Sequence, residues 1–335
     1  ACSRRRQICV HGAPGTDAAM MMATLAAADR AWDAVTVALA APAPDGGADG
    51  RWHVFLVPDA AGLQGGVRSL ALSSWAEPLS RFDRASSFAL VDRATRPGCD
   101  LDFALSRAVA EGALWRAAPG TDDGSARAEA EALATLATPC ANADHADGVR
   151  AFQAHPERAL VDPSSLPFDR GASLFFGWLD ARFGARPGAL IVGLWALSPT
   201  KTPAGAWRWA GAPTGFDVLR TSLKGALWHD STLDDVLVEF AAARAVMIPP
   251  PALAWRIPWP ERARRLAAPV PVAPTGASYV VVDHAGAPKG AKLRLEAAWE
   301  DYARMRWIVL KVDASGKTLA ELPITSASGA THASL

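Results

Sequence analysis

Apolar positions recur along this chain with two different periods, and the change of period divides it. Residues 7–11 (QICVH) read as a short strand. Thr16 or Asp17 supplies an N-cap for the next segment, where Met21, Leu25, Ala28, Trp32, Val35 and Leu39 fall at helical spacing until Pro42 ends the run. After the loop PAPDGGADG, RWHVFLV at 51–57 forms a strand stopped by Pro58, and FALVD at 88–92 forms another. From Asp100 onward the spacing is helical, over 100–116, 125–138, 144–154, 168–183, 187–197, 215–227 and 232–247. Within 168–183, Leu174, Phe175, Trp178, Leu179 and Phe183 are dense enough for a buried helix, and Gly184 supplies its stop. That helix is expected at the centre of the core.

The period then changes. Residues 249–274 are rich in proline and read as an ordered connector, its three consecutive prolines favouring an extended backbone. Beyond it, SYVVVDH, AKLRLEAAW, MRWIVLKVD and TLAELPIT alternate with period two between turn-forming residues. The expected fold class is therefore α+β and mainly helical. A mixed α/β N-terminal part and a helical body occupy 1–248, the connector 249–274, and a small antiparallel, sandwich-like β domain 275–335. About four strands fall short of the roughly seven of a closed sandwich, which leaves a sheet edge to manage. Lys289, Lys292, Arg294 and Lys311 are candidates to blunt one. Packing on the helical body, a native chain running past Leu335, or pairing with another subunit would cover the rest. The last option makes the chain itself an expected partner, as a homo-oligomer or a fibre.

Composition narrows the class. A chain of 335 residues, 50% apolar, buries a core without a metal or a disulfide to hold it. Its 34 basic and 34 acidic side chains cancel, so no electrostatic pull toward nucleic acid or an anionic membrane is expected. No apolar run approaches the ~20 residues of a membrane span, and 13 Trp with 11 Phe argue against disorder. Arg outnumbers Lys 28 to 6 and no Lys precedes Lys201, a bias that reads as codon pressure from a GC-rich genome. The start at Ala1-Cys2 carries no charged and apolar leader, so a signal peptide is expected to have been removed. Cys2, Cys9, Cys99 and Cys140 show no CxxC spacing, which argues against a zinc ribbon or thioredoxin-type site. Two disulfides in an exported protein, Cys2–Cys9 and Cys99–Cys140 as the pairs nearest in sequence, are preferred over four small buried thiols. The expected location is extracellular or at the cell surface.

Most catalytic motifs are missing. Gly171-Ala172-Ser173 lacks the second glycine of a serine-hydrolase elbow, and no P-loop, dinucleotide fingerprint or EF-hand loop occurs. The pairs Asp100/Asp102, Asp122/Asp123 and Asp234/Asp235 suit helix caps and solvated faces. Trp207 with Trp209, and Trp255 with Trp259, offer flat faces to sugar rings, although core packing is the commoner use of Trp. His53, His145, His155, His229 and His284 show no i, i+4 or HxH spacing, so no metal site is expected from them.

One stretch carries more. RAVAEGALWR at 107–116, followed by GSARAEAEALATLATPC at 124–140, resembles the zinc-binding region of zincin metallopeptidases of the glutamate-ligand type. Those place His-Glu-x-x-His on one helix and a ligand Glu on the next, so that two imidazoles share a helix face. The resemblance puts the histidine positions at Ala110 and Leu114, the water-activating base at Glu111 and the third ligand at Glu131. Neither Ala nor Leu has a donor atom, so the motif is degenerate. The downstream stretch AFQAHPERALVDPSSLPFDRGASLFFGWLDARFG and the TPAGAWRW segment extend the likeness to exported proteins of GC-rich bacteria over roughly 1–330. It implies a non-catalytic protein on a peptidase-like scaffold, with no cofactor or metal, acting by binding or assembly with itself or a surface polymer. Three alternatives stay open. Residues 100–116 are an ordinary amphipathic helix; the protein is a secreted hydrolase using Glu111, Glu131 and His155; or it binds carbohydrate through Trp207 and Trp209.

Overall fold

The computed structural model describes residues 1–46, 49–58, 67–72, 86–118, 121, 123–161, 166–197, 215–223, 231–300, 305–313, 315–324 and 332–334. It divides into two compact units, Ala1–Phe152 with Leu160–Asp230, and Gln153–Ala159 with Ser231–Leu335. No described helix is long and apolar enough to cross a membrane.

The first unit is built on a four-stranded sheet. Strands β1 (Ile8–Gly12), β2 (Trp52–Val57), β3 (Val67–Leu72) and β4 (Ser86–Asp92) lie in the order β1-β2-β4-β3. β1, β2 and β4 run parallel, and β3 pairs antiparallel with β4 at the edge. A parallel β1–β2 pair needs a crossover, which helix α1 (Ala18–Trp32) supplies before widening into a π-helical turn at Asp33–Ala38. Asp17 is the N-cap, its carboxylate accepting from the Ala19 N–H. Alternation in the strands puts Ile8, Val10, Trp52, Val54, Leu56, Ala89 and Val91 in the core, against α1 and α2 (Cys99–Ala117). The intervening residues His53, Phe55, Val57, Phe88 and Leu90 stay half-exposed. Strand β3 was not legible in the sequence, because VRSLAL alternates over too few residues.

Helices α3 (Asp123–Ala137), α4 (Ala143–Ala154), α5 (Leu166–Gly171), α6 (Ser173–Phe183), α7 (Ala189–Leu197) and α8 (Gly215–Ser222) follow. Both expected cysteine pairs are at bonding distance, Cys2–Cys9 with Cα atoms 4.0 Å apart and Cys99–Cys140 at 6.0 Å. The second ties the start of α2 to the end of α3, so these helices are antiparallel. The helix expected over 168–183 is instead two, parted at Ala172. A Cβ on Gly171 would lie 2.0 Å from the Gly148 carbonyl oxygen, so α4 and α5 meet glycine to glycine. In α6, Phe175, Phe176 and Leu179 are buried as expected, while Leu174, Trp178 and Phe183 are only half-buried. Asp180 takes a core position because its carboxylate accepts the Gly188 and Leu190 N–H groups at 2.7 and 2.8 Å and caps α7. Asp180→Ala is expected to cost about 2–3 kcal/mol, since it strands two buried backbone donors. Urea unfolding would measure it, and a loss below about 0.5 kcal/mol would show that water replaces the cap.

The second unit opens with α9 (Leu233–Ala245), held by a reciprocal Thr232–Asp235 capping box. Its buried Arg244 donates to the Gln153 side chain, and burial lowers that guanidinium to about 10. Tyr279, raised by burial to about 12, donates its hydroxyl to the Ala241 carbonyl. The strands that follow correct the expected sandwich-like sheet. β5 (Trp255–Pro258), inside the proline-rich connector, pairs parallel with β6 (Val280–Asp283). β7 (Glu296–Ala298) pairs antiparallel with β10 (His332–Ser334), and β8 (Trp307–Val312) with β9 (Thr318–Ile324) forms an antiparallel hairpin. Among the described residues, three two-stranded pairs thus stand where one antiparallel sheet was expected: SYVVVDH and AKLRLEAAW find partners outside the four runs, whereas MRWIVLKVD and TLAELPIT pair with each other. Of the four basic residues expected at one edge, Lys311 lies in β8, whereas Lys289, Lys292 and Arg294 precede β7. Past Pro250, only Pro251 and Ile324 are buried among the described residues.

Candidate functional site

Helix α2 lies flush on the sheet at one point. A Cβ on Gly112 would stand 2.5 Å from the Ser87 Oγ of β4 and 3.1 Å from Pro44, and that Oγ also accepts from the Trp52 indole. Seating Gly112 inward fixes the rotation of the helix. Ala110 and Leu114 become fully buried apolar residues. Arg107, Glu111 and Trp115, spaced i, i+4, i+8, form a stripe of their own along α2.

The side chains that meet this stripe come from α3, α4 and α5. Arg107 donates from Nη1 to Glu131 Oε2 at 3.2 Å, and both side chains are almost wholly out of water. The other Glu131 oxygen faces His145 Nδ1 at 3.0 Å. Four residues before Glu131, Arg127 donates from Nε and Nη2 to Asp169 at 3.3 and 3.0 Å, and Asp169 is fully buried. Glu129, on another side of α3, accepts the Trp195 indole N–H at 2.5 Å. Few of these residues are adjacent in sequence, yet four helices bring their charges together.

The carboxyl groups of Glu111 and Glu131 respond to this setting in opposite ways. Burial alone would raise Glu131, but the Arg107 charge, the His145 hydrogen bond and Arg170 outweigh it and hold the carboxyl below its ordinary range. Desolvation raises Glu111, and the charges of Arg107 and Arg127 only partly offset it. Glu111 keeps some accessible surface while protein crowds its carboxyl. The Trp115 indole N–H lies within electrostatic reach of it but forms no hydrogen bond. Arg170, lowered to about 10 by burial and by neighbouring Arg107, feels both Glu131 and Glu111. Glu111 and Glu131 therefore share Arg107 and Arg170 as neighbours.

No family model, curated protein or solved structure matches the chain.

The donor set does not fit a zincin's metal. Ala110 and Leu114 offer carbon only, and both Glu131 oxygens are engaged by cations or imidazole. No group of three or more His, Cys, Asp and Glu suited to a metal ion occurs among the described residues. The guanidinium of Arg107 provides the positive charge between the two carboxylates. Sequence reasoning missed it, since an arginine one turn before Glu111 looks like any exposed helix residue; its apolar neighbours Ala104 and Ala108 were the available signal. His155, the third candidate of the hydrolase alternative, belongs to the second unit and lies 3.2 Å from Glu157; the imidazole at Glu131 is that of His145. Trp207, Trp209 and His229 lie outside the described residues. Trp255 donates its indole N–H to the Ala267 carbonyl and remains 40% exposed, and Trp259 makes an edge contact with His284.

Proposed function

We propose that this is a non-catalytic protein of the cell exterior, built on a degenerate glutamate-ligand zincin scaffold and acting by binding or assembly. The carrying observation is the Arg107–Glu131–His145 cluster beside fully buried Ala110 and Leu114. A guanidinium neutralises the carboxylate that would otherwise ligate a metal, so the helix pair keeps its charge balance without one. Two disulfides are in keeping with an oxidising exterior compartment. The binding surface of this reading lies in the second unit. Ile248, Leu253, Trp255, Val280, Trp307, Val312, Leu319 and Leu322 are all exposed there, more apolar side chain than a unit with so little core keeps in water without a use. A second copy of the chain or a surface polymer is the proposed partner.

A second reading rests on Glu111. A carboxyl raised by burial near one held ionised is the arrangement that general acid–base chemistry uses, which favours a hydrolase. Peptide and glycan hydrolysis by the purified chain and by Glu111→Gln separates the two. No turnover in either protein is the expected result. Turnover that disappears in Glu111→Gln would overturn the non-catalytic reading. Light scattering across a concentration series tests assembly, with a rising mass expected; a constant monomer mass counts against the chain as its own partner.

A further inference from the structure

The half-exposed side of the sheet carries a cluster that the helical site does not use. His11 near the end of β1 and His53 near the start of β2 lie diagonally across the parallel pair, with His11 Nε2 and His53 Nδ1 2.8 Å apart. The far nitrogen of His53, Nε2, is 3.1 Å from Asp49 Oδ1. A carboxylate accepts and does not donate. His53 accordingly carries its hydrogen on Nε2 and turns the Nδ1 lone pair toward His11. The His11 ring stacks on Phe55 with centroids 4.9 Å apart, and its imidazolium is disfavoured by partial burial, then by His53 and the N-terminal ammonium.

We infer that His11 and His53 form a bidentate surface site for a divalent ion of the copper(II) or nickel(II) type, with Asp49 orienting His53 from behind. A ligating histidine that donates its other N–H to a carboxylate is the usual outer-shell support of a metal site. Once each ring turns so that its lone pair leaves the line between the two nitrogens and points at the ion, the spacing favours one geometry. Two nitrogens 2.8 Å apart, each about 2.0–2.1 Å from one ion, subtend about 90°. That angle belongs to neighbouring positions of a square or tetragonal site, whereas a tetrahedral ion asks for nitrogens farther apart. Binding exchanges the proton between the rings for the ion: His11 gives up its Nε2 hydrogen, either to solvent or to its own Nδ1. No thiolate competes for the ion, since all four cysteines are in disulfides. His53 also borders an apolar groove of about 460 Å³ lined by Phe55, Val57, Phe88 and Leu90.

Copper(II) titration of the full chain, followed by calorimetry and by electron paramagnetic resonance, tests the site. One equivalent with imidazole-nitrogen ligation is expected, bound more tightly than zinc. His11→Ala and His53→Ala should each weaken it by about tenfold or more, and Asp49→Asn by about tenfold. These side chains are exposed or half-exposed, so circular dichroism of the variants should match the parent. Affinity unchanged in both histidine variants, or a spectrum without imidazole nitrogen, overturns the inference. Glu111→Gln should leave the titration unaltered, which separates this site from the helical one.

Discussion

Replacing Arg107 by Met should cost about 3 kcal/mol, because it takes the guanidinium from an ionised Glu131 among helices that exclude water and leaves the His145 contact and the Arg170 charge to hold it. The loss should depend on pH in a definite sense. Glu131 has its folded pKa held below the unfolded value, so its contribution is complete above the unfolded carboxylate pKa, near about 4.3, and disappears as pH falls through the folded value. Glu111 is shifted the other way; its contribution is complete below the unfolded pKa and is lost as pH rises through the folded one. Removing Arg107 withdraws a lowering influence from both. The deficit of Arg107→Met should therefore be largest near neutrality and shrink as the solution is acidified toward pH about 4, where the stranded carboxyl takes up a proton. Urea unfolding at two pH values gives the measurement. A deficit under about 1 kcal/mol, or one equal at both pH values, would mean that the pair contributes no net stability. Arg107→Met combined with Glu131→Leu should recover much of the loss, since replacing both partners of a buried pair is far cheaper than removing one.

The second large effect is expected from the Cys99–Cys140 bond. It closes a separation of 41 residues, for which chain entropy gives about 4 kcal/mol, against about 2 kcal/mol for the seven-residue Cys2–Cys9 loop. Paired Cys→Ser variants unfolded in urea without reductant should rank in that order. If Cys99→Ser/Cys140→Ser proves the milder pair, the bond acts on the native helix ends and not on the unfolded chain. Loosening α2 against α3 should also disturb the Arg107–Glu131 contact, so this variant and Arg107→Met should be less than additive.

Much of the first unit was legible because its signals are local. Asp17, the alternation in RWHVFLV and the helical runs from Asp100 each act within a few residues, and they place β2, β4 and the helix pair close to where they lie. What escaped depends on partners distant in sequence. β3 is held by pairing with β4, and β5 gains strand geometry from β6 despite its prolines. The break at Ala172 accompanies a glycine contact between two helices. The site divides in the same way. Glu111 and Glu131 could be singled out through the resemblance to the zincin motif. Arg107, His145 and Asp169 acquire meaning only when four helices converge, and the His11–His53 pair only when two strands, their histidines 42 residues apart, align side by side.

The order of the disulfides along the chain has a consequence for how the molecule is made. The first cysteine bonds to the second and the third to the fourth. An oxidant that couples thiols in the sequence in which they emerge during synthesis or translocation therefore produces the native bonds directly. No wrong pair has to be reopened by thiolate attack on a mixed intermediate. Consecutive coupling of these four cysteines thus reaches both bonds without reshuffling.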